Sequence, residues 1–448
     1  MALRSSGSVV WMLTGTFLVG VSGYVYFAVI GHGRFDAATA AALSATYLLS
    51  NILGPGVFIA AEQESSRVIS AARAHPGDLD PPGPGGVAPV GSGVGRSTTR
   101  RLALICVALG ILTLVVLGLC APVLLTNVLD GDVGLVLALV LCVIGSAAVY
   151  YVRGLSGGQQ RFRRYAATTA IDGGARIVGC VTLAALGSTN PVAYALALCA
   201  GPLAAAVLTG PGARPPAPTP SPPAPSAADL ARAVSYLLVA SFVSLAMANL
   251  APVIVTGMSG TNPAAATGFA AAVVLSRIPL LLMGPIQALI LPRLTLAAGS
   301  GRLADFRRDT LLGLAAIGGL AVLAAAVAAI AGRWILTILV GIDDDRIGAG
   351  LLVLLTVSAM LQMAVQFLQP ALVAVRRHRL LVVAWICGGL AFGLAFLVPL
   401  EPIDRGVLAT ILGPTVTLLI ELGTLRTTLA GARTGATPHH HGTSTFDR

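Results

Sequence analysis

Three charged side chains lie inside long apolar runs, where a charge is costly. Arg277 interrupts the run 264–291, and Asp172 and Arg176 lie four residues apart in another run. A charge near the centre of a bilayer costs about 2.5–3.5 kcal/mol on insertion scales, so such residues mark partners, water-filled cavities or ligands. Arginine suits phosphate because its planar guanidinium donates two parallel hydrogen bonds and keeps its proton.

Two interpretations of each of these residues are open. Arg277 either contacts an anionic ligand or forms a structural lock with a carboxylate or with helix carbonyls. Asp172 and Arg176 share one helix face, so they form either a self-neutralised pair or a cavity wall where Arg176 exchanges Asp172 for phosphate. Asn51 and Asn249 either line the same cavity or bridge helices by hydrogen bonds.

The remaining polar residues do not predict catalysis or metal binding. The six cysteines fall inside apolar runs, without the spacing of a metal site or a disulfide framework. His439, His440 and His441 lie in a polar tail and are interpreted as non-functional, and Glu421 lies near the end of an apolar run, where it can extend to water. The chain has no GxxxxGK[ST] loop, and its outer loops are too short for a membrane glycosyltransferase or polymerase. We therefore expect neither an enzyme nor a cofactor.

The composition determines which elements must position these charges. Of the 448 residues, 56% are hydrophobic and 10% are charged, and the mean hydropathy is +0.87, which excludes a soluble globular protein. Apolar runs of about 20 residues match the ~30 Å of hydrocarbon in a bilayer, where only helices satisfy their own backbone. The sequence predicts an all-α polytopic membrane protein with twelve spans. The predicted ranges are 8–31, 37–61, 101–127, 133–154, 164–187, 190–211, 234–257, 264–291, 310–331, 348–375, 379–400 and 404–428.

The basic residues predict the orientation. All 28 are arginines, and most of those outside the spans fall on one side of the twelve-span arrangement. Only Arg34, Arg333, Arg346 and Arg405 fall on the other side. By the positive-inside rule, both termini are predicted in the cytoplasm. The net charge of +10 thus indicates topology and gives no support for nucleic-acid binding. Arginine without lysine is typical of a high-GC bacterium, so we expect the bacterial plasma membrane.

Three segments rich in Pro, Gly or polar residues are predicted to be disordered. They are an inner loop at 75–99, a Pro-rich cytoplasmic linker at 212–228 and a cytoplasmic tail at 431–448. The linker divides the spans six and six. We therefore predict an N-terminal six-helix lobe at 1–211 and a C-terminal six-helix lobe at 229–430.

The two halves carry matching features in the same order, which indicates a parallel repeat about an axis along the membrane normal. Transporters built from such repeats place a central site between their lobes. Spans 2, 8, 6 and 12 each contain a Gly-Pro pair. Because proline removes a helix hydrogen bond, each pair predicts either a hinge for lobe movement or a static kink. The residues are Gly54 and Pro55, Gly284 and Pro285, Gly201 and Pro202, and Gly413 and Pro414.

This pattern resembles a known superfamily. Twelve spans in two pseudo-symmetric lobes are similar to the multidrug/oligosaccharidyl-lipid/polysaccharide (MOP) exporter superfamily. The segment VVLSRIPLLLMGPIQALILPRL resembles span 8 of its polysaccharide-export flippases, with an arginine, a proline two residues on and a closing Leu-Pro-Arg-Leu. The segment RWILTILVGIDDDRIGAGLLVLLTVSAM resembles the region around their spans 9 and 10. The resemblance covers about residues 8–428.

The resemblance implies a flippase for cell-envelope polysaccharide synthesis. Such a flippase moves a polyprenyl-diphosphate-linked oligosaccharide, or a related anionic glycolipid, from the inner to the outer leaflet by alternating access. The resemblance implies that Arg277 binds the diphosphate. It also implies, as partners, membrane lipids and glycosyltransferases or a polymerase of the same pathway. The related lipid II flippases have fourteen spans and cationic residues in spans 1 and 2, whereas this chain has twelve and no arginine in those spans.

The alternative within the same superfamily is a cation-coupled multidrug exporter of the MATE type. Such exporters use carboxylates in the N-terminal lobe. Here spans 1 and 2 offer only Glu62 and Glu64, at the inner boundary, and Arg277 would repel a drug cation. The sequence therefore favours the flippase.

Overall fold

The computed structural model describes residues 2–71, 96–210, 226–259, 262–282, 302–341, 347–374 and 378–434. These ranges are helical and contain no strand, which confirms the predicted all-α class. A π-helix, Ile52–Gly56, separates α2 from α3, and a 3₁₀ helix, Ile278–Leu282, follows α10. The α-helices of the described ranges are α1 (Ala2–Gly31), α2 (Ala37–Asn51), α3 (Val57–Ala71), α4 (Arg96–Asn127), α5 (Val133–Gly158), α6 (Phe162–Ala185), α7 (Pro191–Cys199), α8 (Gly201–Thr209), α9 (Ala227–Met258), α10 (Pro263–Leu275), α11 (Leu303–Val340), α12 (Ala349–Ala374), α13 (His378–Ala395) and α14 (Pro402–Thr434).

Within the described residues, each predicted span coincides with one helix or with two consecutive helices. Spans 2, 6 and 8 are the interrupted ones, and the others are single helices. Within the described ranges, ten helical segments are long and apolar enough to cross a membrane. The two spans outside that set are α6, which carries Asp172 and Arg176, and α13, whose apolar part is only Leu380–Ala395.

Side chains at loop ends fix where several helices begin. Asp36 caps α2 by accepting a hydrogen bond from the backbone N–H of Thr39 at 2.9 Å. Asp132, Asn190 and Asn262 cap α5, α7 and α10 in the same way. These caps satisfy backbone donors that are free at a helix start, so short polar loops suffice to connect the apolar spans.

Helices extend into all three segments that the sequence predicts to be disordered. α4 begins at Arg96, inside the predicted loop 75–99. α9 begins at Ala227, capped by the hydroxyl of Ser226, and α14 runs to Thr434. Those predicted boundaries were wrong because a membrane helix continues into polar residues beyond its apolar stretch. The rest of the three segments lies outside the described residues.

The first Gly-Pro pair coincides with a helix break. Gly54 and Pro55 lie in the π-helix between α2 and α3. Beside this pair, the hydroxyl of Ser241 on α9 donates to the carbonyl of Gly56 at 3.1 Å. This hydrogen bond joins the broken segment to the other lobe.

The other pairs differ from one another. The break between α7 and α8 places Gly201-Pro202 in the first turn of α8. By contrast, Gly413-Pro414 lies within α14, which stays continuous. Residues Gly284 and Pro285 lie outside the described part of the chain. Whether any pair acts as a hinge stays a prediction.

The predicted orientation has a direct test in the loops that flank α5. A reporter fused after Gln160 should read cytoplasmic, because Arg161, Arg163 and Arg164 follow it. A reporter fused after Asp132, which caps the other end of α5, should read external. Alkaline phosphatase and green fluorescent protein fusions measure the two sides. Opposite signals at both sites would reverse the orientation, and matching signals would remove α5 as a span.

Candidate functional site

Span 8 is interrupted at Arg277, a place that the Gly-Pro pattern does not predict. α10 ends at Leu275, and the 3₁₀ turn begins at Ile278. Pro279 explains the interruption, because it lacks the N–H that would bond to the carbonyl of Leu275 and it disfavours helix at the preceding residue. Arg277 therefore lies in the junction between two helical segments, the kind of break that forms binding sites in transporters.

Arg277 is held by an amide. Its Nη1 donates to Oδ1 of Asn249 on α9 at 3.1 Å. Asn249 is 4% exposed, and its Nδ2 donates to the carbonyl of Leu245 one turn earlier, at 2.9 Å. Among the described residues, no ion pair includes Arg277. The structure thus brings two predicted site residues together and leaves the positive charge without a carboxylate in that part of the chain.

Two tyrosines bring the N-terminal lobe to this site. The hydroxyl of Tyr24 on α1 donates to the carbonyl of Val274 on α10 at 3.4 Å. Tyr24 and Tyr47, the latter on α2, both lie near Arg277. Tyr47 lies directly against α1 at Gly23, where any side chain would collide with its hydroxyl. Arg277 therefore lies where α1, α2, α9 and α10 meet, between the two lobes.

A small polar cavity adjoins Arg277. Its volume is about 20 Å³, and Ser276, Ser358, Gln362 and Thr410 contribute to its lining. The Oε1 atom of Gln362 is buried there without a hydrogen-bond partner among the described residues. A cavity of this size holds about one water molecule. The site is therefore closed to any larger headgroup in this conformation.

The second charged site is an ion network in the N-terminal lobe. Asp172 Oδ1 accepts from Nε of Arg176 at 2.9 Å, and its Oδ2 accepts from Nη2 of Arg153 at 2.9 Å. All three residues are at most 7% exposed. Arg153 also lies over the ring of Tyr150, with its guanidinium carbon 5.0 Å from the ring centroid.

The sequence predicted the Asp172–Arg176 pair, but it missed Arg153. Arg153 lies near the end of the predicted span 133–154 and was not among the candidate residues. Its side chain turns inward from α5 to Asp172 on α6. The two residues are 19 positions apart, so no helical spacing could indicate the contact.

A second carboxylate extends the network. The hydroxyl of Tyr165 on α6 donates to Oε1 of Glu62 on α3 at 2.7 Å. Glu62 thus lies near Arg153, although the two side chains form no ion pair among the described residues. The sequence placed Glu62 at the inner boundary, and the structure buries it beside the network.

Gly201 allows α8 to pack directly on this network. A Cβ added to Gly201 would lie 2.8 Å from Cγ of Arg176 and from the carbonyl and Oδ1 of Asp172. No real Cβ contact is that short, so a side chain here would displace the ion pair or the helix. The glycine of this Gly-Pro pair is thus required by a close approach.

This approach gives a sharp stability prediction. Gly201→Ala should lower the unfolding free energy by about 1–3 kcal/mol, the usual cost of overpacking. Gly174→Ala on α6 is the matched control, because no neighbouring atom lies within 4 Å of its added Cβ and alanine favours helix. Melting of the purified variants in detergent measures the difference. Equal melting temperatures for the two variants would contradict the packing argument.

Solved structures resemble this chain over nearly its whole length. A multidrug resistance MATE family transporter of the MOP superfamily, in an outward-facing conformation, matches with a TM-score of 0.62 and 12% identity, over 95% of each chain. The lipid II flippase MurJ, in an inward closed conformation, matches with a TM-score of 0.58 and 11% identity, over 93% of this chain and 88% of MurJ. The chain therefore has the fold of the MATE transporters.

The MATE fold confirms the predicted architecture of about twelve membrane helices in two six-helix lobes. A third structure with this fold is a MOP superfamily transporter from Pyrococcus furiosus, described as having a binding pocket of reverse polarity that suggests a different function. It matches with a TM-score of 0.59 and 12% identity, over 95% of this chain and 96% of the other. No protein-family model and no curated protein sequence matches the chain.

In the described part of the chain, no hydrogen bond or ion pair joins the remaining predicted residues to Arg277. Asn51 is the last residue of α2, and its Nδ2 donates within the helix to the carbonyl of Tyr47 at 3.0 Å. Its contact with a ligand stays a prediction, as does that of Asp172 and Arg176. Within the described ranges, no group of three or more His, Cys, Asp or Glu could hold a metal ion. The residues His439 to His441 lie outside those ranges.

Proposed function

We propose that this protein is a flippase that moves an anionic glycolipid across the plasma membrane of a bacterium by alternating access. The substrate class is a polyprenyl-(di)phosphate-linked oligosaccharide, used for cell-envelope polysaccharide. One observation carries the proposal: a guanidinium without a carboxylate partner among the described residues lies between the two lobes of a MATE fold. Glycosyltransferases and a polymerase of the same pathway, which make and use such a lipid, are the expected partners.

Arg277 has the chemistry that a phosphate group requires. In the closed state its Nη1 is occupied by the neutral amide oxygen of Asn249. A charged phosphate oxygen is a stronger acceptor than an amide oxygen, and two oxygens of one phosphate can accept parallel hydrogen bonds from one guanidinium. Asn249 would then turn its amide toward the same headgroup. The exchange stabilises the loaded state without leaving a buried carboxylate unpaired.

Loading requires the lobes to separate, because the cavity at Arg277 holds about one water molecule. The described contacts between the lobes at this level are neutral. They include the 3.4 Å hydrogen bond from Tyr24 to Val274 and the 3.1 Å hydrogen bond from Ser241 to Gly56. Neutral hydrogen bonds contribute about 0.5–1.5 kcal/mol each, so their loss is compatible with a reversible opening.

The alternative is a cation-coupled multidrug exporter, as in the MATE family transporters that share the fold. One observation favours it: Glu421 on α14 is fully buried, and neither carboxylate oxygen has a hydrogen-bond partner among the described residues. The prediction that Glu421 extends to water was wrong, because its side chain packs into the lobe. Against this alternative, Asp172 is already neutralised by two arginines, and Arg277 opposes a cation at the centre.

Transport in vesicles separates the two functions. The protein is reconstituted into liposomes with a fluorescent polyprenyl-diphosphate sugar, and a membrane-impermeant quencher reports how much of the lipid each leaflet holds. The quencher cannot reach lipid in the inner leaflet, which is the protected pool. A flippase should bring this lipid to the outer leaflet, whereas in protein-free vesicles it should stay protected over the same time. The opposite result would support the exporter instead of the flippase. In that case the lipid stays protected, and the vesicles accumulate a fluorescent drug cation under a proton or sodium gradient.

A further inference from the structure

An apolar groove of about 250 Å³ lies beside the Arg277 site. It runs between α11, α12 and the junction at Ile278 and Pro279. Ser276 lines both this groove and the polar cavity of Arg277, so the two spaces meet at one residue. Its volume exceeds the roughly 150 Å³ of an apolar protein cavity that binds benzene.

The groove opens on the lipid-facing side of the protein. α11 is the least buried of the described spans, and its residues Leu323 and Val327, which line the groove, are largely exposed. Ala324, Ala328 and Gly332 follow at intervals of four, so small side chains share one face of α11 along the groove. A hydrocarbon chain can therefore enter from the bilayer without leaving an apolar environment.

We propose that this groove holds the first part of the hydrocarbon tail of the anionic lipid whose phosphate contacts Arg277. The inference rests on the proposed function. A phosphate lipid carries its charge next to its chain. The protein likewise places an apolar groove on one side of Ser276 and, on the other, a guanidinium that has no carboxylate partner among the described residues. A free phosphate would leave the groove empty, and a lipid without a phosphate would leave the guanidinium without an anionic partner.

Photo-crosslinking tests this arrangement. A diazirine amino acid is placed at position 328, inside the groove, or at position 329, which is exposed on the same helix outside the groove. Vesicles contain a polyprenyl monophosphate and a polyprenyl alcohol of equal length and equal mole fraction. At 328 the phosphate lipid should be labelled at least about tenfold more than the alcohol, as a charge-assisted hydrogen bond implies. Arg277→Ala should reduce that ratio to about one.

Position 329 is the matched control and should label both lipids equally, with or without Arg277. A diazirine at 324, also in the groove, should repeat the result at 328 if one position impairs folding. Thermal stabilisation by the phosphate lipid is measured in parallel on each protein. Equal labelling of both lipids at 324 and 328, with stabilisation that still needs Arg277, would overturn the groove and leave the flippase intact. If neither the labelling ratio nor the thermal stabilisation depends on Arg277, the groove proposal and the flippase proposal are both overturned.

Discussion

Arg277→Ala is expected to abolish translocation of the lipid-linked sugar while the protein stays folded and inserted. Truncating one partner of a buried charged contact costs about 2–5 kcal/mol in binding, which is roughly 30-fold or more in affinity. Folding should suffer far less. The variant leaves only the amide oxygen of Asn249 without its donor, a cost of about 1–3 kcal/mol that is offset by removing a buried charge.

Two variants control this experiment. Arg307→Ala on α11 removes an exposed arginine of the same lobe, so it should leave both transport and melting unchanged. Arg277→Lys should be intermediate in transport, because an ammonium supplies the charge without the planar fork. The measurements are lipid accessibility in vesicles and melting in detergent. A stable Arg277→Ala protein that transports normally would remove Arg277 from the mechanism.

Asp172→Asn is expected to have the largest effect on stability. The substitution keeps the shape of the side chain but removes the charge that Arg153 and Arg176 share at 2.9 Å. Breaking one side of a buried ion pair costs about 3–5 kcal/mol, because the remaining charge is left uncompensated. The variant should therefore melt well below the wild type or fail to accumulate in the membrane.

A second substitution provides the rescue. Asp172→Asn combined with Arg176→Gln removes the arginine that has lost its partner, whereas Arg153 keeps the opposite charge of Glu62. The double variant should recover most of the lost melting temperature. If Asp172→Asn instead melts like the wild type and loses transport, the network belongs to the translocation path, as the cavity-wall interpretation of Arg176 predicts.

The sequence predicts those features that depend on local pattern. Hydropathy defines the twelve spans because the bilayer imposes one length on each helix. Arg277 is also recognisable in the sequence, because placing a charge inside an apolar run costs free energy in a bilayer. The break at Arg277 also had a local signal, because Pro279 lies two residues further on. Pro279 has no preceding glycine, so the Gly-Pro pattern does not include it.

Features that depend on contacts between distant residues could not be predicted. The sequence named Asn249 as a candidate but not its partner. The packing of α9 against the junction after α10 places it 3.1 Å from Arg277. The close approach at Gly201 likewise depends on how α8 packs on α6. The pairing of Arg153 with Asp172 and the burial of Glu421 depend on which way each side chain turns at a helix end. Periodicity identifies the face of a helix but not the neighbour that covers it.

The most direct test of the central claim is a thermodynamic cycle between the charge of residue 277 and the charge of the lipid. Dissociation constants are measured for a polyprenyl phosphate and for the alcohol of equal chain length, with the wild type and with Arg277→Ala in the same detergent. The wild type should prefer the phosphate by at least about 30-fold, the equivalent of ~2 kcal/mol. In Arg277→Ala that preference should disappear while the alcohol binds as before. An equal preference in both proteins, or a wild type that binds a cationic amphiphile of the same length more tightly, would contradict an anionic substrate at Arg277.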